Sequence, residues 1–138
     1  MFHKIAVAFD GSRPSRLAFE CALEIAVRFG AELLVVSVVR LPEPTTRVEL
    51  HAVIEEGERH FRDEFQELAK RAAESGLALQ TEVLEGHPAD QILRAAERFG
   101  ADLIVMGRRG RTTVGRWLLG SASERVLRDA HCPTLVVH

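Results

Sequence analysis

Long hydrophobic runs are missing from this sequence. Apolar stretches such as Leu33–Val36 and Leu103–Met106 fall far short of the roughly 20 residues that cross a bilayer as a helix, so no membrane span is expected. The apolar run Ile5–Phe9 ends at Asp10 with no small-residue cleavage pattern behind it, which argues against a signal peptide and for a cytoplasmic protein. Cysteine is scarce. Cys21 and Cys132 lie far apart, with neither C-x-x-C nor metal-ligand spacing, and read as small buried hydrophobes kept as thiols. Neither sign of charge dominates: 18 Lys and Arg against 20 Asp and Glu leave a net charge of −2, so nothing drives the chain toward nucleic acid or an anionic membrane.

Several catalytic signatures are also missing. The six histidines, His3, His51, His60, His87, His131 and His138, show no H-x-x-x-H or H-E-x-x-H spacing, so no protein metal site is expected and all six read as surface or turn residues. No G-x-G-x-x-G follows a strand-like run, and Gly110 to Trp117 has P-loop-like glycine spacing without the Lys and the Ser or Thr that hold phosphate and metal. Gly120-Ser121-Ala122-Ser123-Glu124 is not a G-x-S-x-G nucleophile elbow.

What is present fits a single domain over residues 1–138, of which 46% are hydrophobic and 28% charged. Five short apolar runs, Lys4–Phe9, Leu33–Val39, Leu77–Leu84, Asp102–Met106 and Thr134–Val137, alternate with four helical patterns. The third run alternates, which predicts a strand less completely covered than the others. The first helix carries Ala18, Ala22, Ile25 and Phe29 at helical spacing, with Ser12 as N-cap, Pro14 in the first turn and Gly30 as the stop. The second carries Ile54, Phe61, Phe65, Leu68 and Ala72 before Gly76, the third Ala89, Ile92, Ala96 and Phe99 before Gly100, and the fourth spans roughly Ser121 to Ala130. This order predicts an open, doubly wound α/β domain with a five-stranded parallel sheet in order 3-2-1-4-5 and a ligand crevice at the carboxyl ends of strands one and four.

The segments leaving those two strands carry the candidate chemistry. After strand one comes Asp10-Gly11-Ser12; after strand four comes Gly107-x2-Gly110-x9-Gly120-Ser121. Gly107 and Gly110 would let backbone amides approach an anion, and Gly120 leads into a helix whose first N–H groups attract negative charge. Ser121 and Ser123 add hydroxyls, and Arg108, Arg109, Arg111 and Arg116 add positive charge. Plain turns and caps use the same residues: Ser121 also reads as an N-cap, and Asp10 as a residue that shapes its turn.

The glycine and serine pattern, together with Ala122 to Leu127, the ending Cys132 to Val137, Ile5 to Ser12, Gly86 to Leu93 and Ala101 to Gly107, resembles the universal stress protein family, specifically its UspA-like ATP-binding branch. The resemblance implies an adenine-nucleotide alpha-hydrolase-like fold and a small cytoplasmic homodimer that holds ATP with Mg²⁺. It places Asp10 beside the ribose or a phosphate-bound Mg²⁺, with the Ala8 backbone lining the pocket and the Val38 backbone reading the adenine edge. Met106 and Gly107 would lie under the nucleoside and Gly110 near the phosphates, which Gly120, Ser121, Ala122 and Ser123 would bind. The charge of Arg108 and Arg109 suits a triphosphate.

Three functional readings remain: a nucleotide-gated stress regulator in which ATP changes the order of the stretch Arg108 to Leu119 and so the surface offered to a partner, a slow Mg²⁺-dependent ATP hydrolase or phosphotransferase, and a nucleotide-independent module that regulates a transporter or kinase. The first is preferred, because no residue is identifiable that would orient an attacking water. The connection Arg40 to Ala52, with Pro42, Pro44, Thr45 and Thr46, is long for an α/β turn and reads as a lid or a plain loop. Trp117 reads as a packing anchor or a reporter of ligand. The helix-two charges, among them Glu55, Glu56, Glu58, Arg59, Asp63, Glu64 and Lys70, read as a solvated face. The last strand, Thr134 to His138, would be an exposed sheet edge that the same strand of a second copy covers.

Overall fold

A computed structural model of the protein describes residues 1–40, 46–108 and 120–138. Its elements run β1 (Lys4–Ala8), α1 (Arg13–Phe29), β2 (Glu32–Val39), α2 (Arg47–Glu74), β3 (Leu79–Glu85), α3 (Pro88–Phe99), β4 (Leu103–Gly107), α4 (Ser121–Asp129) and β5 (Thr134–Val137). The strands form one parallel sheet in the expected order β3-β2-β1-β4-β5. Winding therefore reverses at β1. The register pairs Ala8 with Val36 and Val7 with Val105, which brings the carboxyl ends of β1, β2 and β4 to one edge.

Side chains alternate across the sheet because a strand repeats every two residues. Ile5, Val7 and Phe9 of the β1 segment, Leu33 and Val35 of β2, and Leu103 and Val105 of β4 pack under α1 and α2 with Ala18, Phe19, Phe61 and Leu68. Ala6, Ile104 and Met106 face α3 and α4 with Ala89, Ile92 and Val126. The central strands, buried on both sides, thus need the continuous apolar runs seen in the sequence. β3, at the sheet edge, has no fully buried residue.

Helix α1 begins as expected: Ser12 Oγ accepts from the Ser15 N–H at 3.3 Å, and Gly30 closes the helix at φ 65°. Its buried stripe, however, is Ala18, Phe19, Ala22, Leu23 and Ala26. Ile25 and Phe29 lie one step round the helix, and Phe29, 46% exposed, meets Phe2 edge-on. The larger correction concerns α2, which starts at Arg47 inside the stretch read as a connection. Thr46 Oγ1 accepts from the Glu49 N–H at 3.1 Å while the Glu49 carboxylate takes the Thr46 N–H at 2.8 Å. This reciprocal capping box starts a helix at once after the prolines. The lid reading therefore retains only Arg40, Thr46 and residues 41–45, and the last of these lie outside the described residues.

Part of the helix-two charge is structural rather than merely solvated. Glu64 pairs with Arg16 at 3.0 Å, and Arg71 pairs with Glu20 at 3.1 Å, so ion pairs run between α2 and α1. At these exposed positions each contributes little. At the amino-terminal edge of the sheet, the Asp102 carboxylate accepts from the N–H groups of His3 at 2.7 Å and Lys4 at 3.1 Å. Burial works to raise this carboxyl's pKa, but the two backbone donors and nearby His3 outweigh it and hold it below its ordinary value. Cys21 and Cys132 are free and half-buried rather than fully buried. Burial, with the charge of Asp102 adding to it, pushes the Cys132 thiol up, away from the reactive thiolate. β5 lies at the sheet edge, with Leu135 37% exposed.

Candidate functional site

The carboxyl ends of β1, β2 and β4 open into a cleft of about 670 Å³, walled by the starts of α1, α3 and α4 and by one turn of α2. It lies where the winding reverses, the position expected for a ligand crevice in such sheets. Ala8, Asp10, Val38, Met106, Gly107, Gly120, Ser121, Ala122 and Ser123, all singled out from the sequence, line it together. Arg109 and Gly110 lie outside the described residues, as do Arg111, Arg116 and Trp117.

The Asp10 turn is knit to α1. Asp10 Oδ1 accepts from the Ser12 N–H at 2.9 Å, and the buried Ser15 hydroxyl donates to the Ser12 carbonyl at 2.9 Å while facing the Asp10 N–H at 3.4 Å. Asp10 therefore shapes its turn and also lines the cleft. Ser37, fully buried, donates to the Phe9 carbonyl at 2.7 Å and ties the end of β1 to β2.

Across β1 stands the start of α4. Gly120, not Ser121, is the N-cap, and it supplies no side-chain bond. The first intrahelical bond is Glu124 N–H to Gly120 O at 2.9 Å, so the N–H groups of Ser121, Ala122 and Ser123 precede the helical ladder. The Ser121 side chain is exposed at the first helical position. Ser123 is buried, and its hydroxyl donates to the Gly107 carbonyl at 2.8 Å. Its proton is thus committed to fixing α4 on β4, and its backbone N–H is what it can offer an anion.

Arg108 links the same two elements. Its N–H donates to Val137 O at 2.7 Å and its carbonyl accepts from the Gly120 N–H at 2.9 Å. Its Nε is buried with no hydrogen-bond partner among the described residues.

Gly107 is also required by packing. A Cβ at this position would stand 2.6 Å from Pro14 Cβ and 2.8 Å from the Pro14 carbonyl carbon. The space is taken by the first turn of α1, so this glycine lets helix and strand meet.

The sequence reading missed Phe9, Ser15, Val36, Val39 and Arg40, which lie at the ends of β1 and β2 or the start of α1, and Pro88 and Ile92 at the start of α3. Those could have been inferred from the crevice position alone. His60 and Phe61, also in the lining, could not: they arrive through the packing of α2 over the sheet. His60 is exposed, as expected of the histidines, but stands at the cleft. Among the described residues no cluster of three or more His, Cys, Asp or Glu could hold a metal ion, and no helix is long and apolar enough to cross a membrane.

The profile of the Universal stress protein family matches residues 1–138. A universal stress protein of Methanocaldococcus jannaschii is 41% identical over 141 residues, covering 99% of this chain and 82% of that protein. The solved structure of the universal stress protein UspA from Lactobacillus plantarum is 30% identical with a TM-score of 0.85, covering 99% of this chain and 97% of that one. A crystal structure of a universal stress protein in complex with cAMP is 26% identical with a TM-score of 0.78, covering 99% and 97%.

Proposed function

The chain belongs to the universal stress protein family, and on that premise we propose that it is an ATP-binding regulator of the stress response, resident in the cytoplasm. One observation carries the reading: the uncapped start of α4 presents the N–H groups of Ser121, Ala122 and Ser123 to a cleft whose other side holds the Asp10 turn. Free amide donors and the helix dipole suit phosphate. The cAMP complex of a related protein supports the same ligand class.

Asp10 is the one carboxylate among the described residues of the lining. That fits Mg²⁺ carried in on the phosphates, since Mg²⁺ binds through one or two carboxylates and keeps its remaining ligands from phosphate and water. The ion would neutralise phosphate charge, while Asp10 orients it. Regulation follows if the occupied and empty cleft offer different surfaces to a protein partner, for which ATP must bind the two states with different affinity. The stretch expected from the sequence to respond, Arg108 to Leu119, lies outside the described residues except for Arg108. The reading includes a homodimer through β5, whose exposed Leu135 and edge position leave a pairing surface; sedimentation showing only a 15.3 kDa species would remove that part.

The test is calorimetric titration of ATP with Mg²⁺ into nucleotide-stripped protein, beside Gly120→Val, which blocks the approach to the α4 amides. Saturable binding by the wild type and its loss in the variant are expected. A folded protein that binds no nucleotide would refute the reading.

A further inference from the structure

We propose that His60 is a specificity-determining residue of the cleft, its imidazole meeting the base of a bound nucleotide. This rests on the nucleotide reading above and adds a side chain that meets the base end of the ligand. The start of α4 belongs to the β4 side of the sheet, whereas α2 packs over β3 and β2, on the other side of β1 and on the opposite sheet face. β2 and β4 are two strand spacings apart, about 10 Å. A nucleotide with its phosphates on the α4 amides and its base extended across β1 toward β2 would bring that base to His60, which lines the cleft with Val39 and Arg40.

His60 is held at that wall by the core rather than by chance exposure. One turn before it, the buried Gly57 lets α2 approach the sheet so closely that a Cβ there would stand 3.0 Å from Cγ1 of both Val39 and Val83. The His60 ring meets the Phe61 ring edge-on at 4.9 Å and 83°. Phe61 is 5% exposed and stacks on Phe65 at 5.6 Å and 17°. An exposed imidazole is thus anchored to a buried aromatic pair at the wall of the cleft. A planar ring with hydrogen-bonding edges suits a purine, which offers both a π-face and polar ring atoms. Arg40, on the same wall, would be the natural partner of an anion instead, so the test must separate base from phosphate.

The experiment follows the His60 imidazole by side-chain ¹H–¹⁵N NMR during titration with ATP, adenosine or inorganic triphosphate, and measures the same ligands by calorimetry on His60→Ala and Arg59→Ala. Arg59 lies on the same helix, paired with Glu56 and outside the cleft lining. The imidazole signals should move with ATP and adenosine but not with triphosphate. His60→Ala should weaken ATP about tenfold, the order expected for one base contact, with triphosphate binding unchanged; Arg59→Ala should match the wild type. If the wild type binds ATP but His60→Ala binds it equally well, or if triphosphate alone moves the imidazole, the inference is overturned while the nucleotide reading stands. If the wild type binds neither ATP nor triphosphate, both fall.

Discussion

Two helices begin at the same cleft and are finished in opposite ways. At α1 the Ser12 hydroxyl takes the Ser15 N–H, the Ser15 hydroxyl returns to the Ser12 carbonyl, and Asp10 takes the Ser12 N–H. Pro14, in the first turn, has no N–H to satisfy. At α4 the N-cap is Gly120 with no side-chain bond, and Ser123, which follows, spends its hydroxyl on Gly107. One helix start is closed by its own sequence. The other leaves its donors without side-chain partners, and since unpaired amide donors are costly unless water or a ligand takes them, the difference separates scaffold from proposed binding site within one pocket.

The two starts meet at Gly107, so the largest effect should come there. Gly107→Ala forces a methyl into the Pro14 backbone and should cost about 3 kcal/mol of stability, the upper end for overpacking; urea unfolding measures it. Next, Gly120→Asp would give α4 the side-chain cap that α1 has. Since Gly120 already adopts cap geometry at φ −63° and ψ 152°, thermal stability should rise by a few tenths of a kcal/mol. ATP affinity should fall at least about tenfold, because the cap carboxylate competes for the phosphate donors. The reverse change, Ser12→Ala, opens the closed start: it should cost about 1 kcal/mol in unfolding free energy and leave inorganic triphosphate binding unchanged.

The smallest effect lies at the far edge of the sheet and serves as a control. Asp102 accepts two backbone N–H groups and its folded pKa is below the ordinary 3.8. The unfolded chain therefore binds that proton more readily, and the stabilisation is complete above the ordinary value and lost as pH falls through the folded one. Asp102→Asn should cost at most about 1 kcal/mol near neutrality, a deficit that shrinks below pH 3.8 in denaturant titrations, with nucleotide binding unaffected.

Topology was readable in the sequence because it rests on local signals: five apolar runs, helical stripes between them, and Ser12, Pro14, Gly30 and Gly100 marking helix ends. The position of the crevice followed from the reversal at β1, whereas Ala8, Val38 and Met106 came with the family resemblance. Where the reading went astray, a competing signal of similar length was present. Pro42 and Pro44 argued for a loop, while Thr46-x-x-Glu49 just behind them starts α2. Ser121 reads as a cap as well as Gly120 does, and only the backbone decides. The role of Gly107 depends on Pro14 and the position of His60 on Gly57, contacts between elements that no local pattern encodes.

The comparison itself is tested most directly by following backbone amide resonances while inorganic triphosphate is titrated into the protein. The amides of Ser121, Ala122 and Ser123 should move strongly and saturably, while those of Ser12 and Ser15 at the closed start of α1 stay in place. Equal movement at both starts, or none at α4 in a folded protein, would contradict the account.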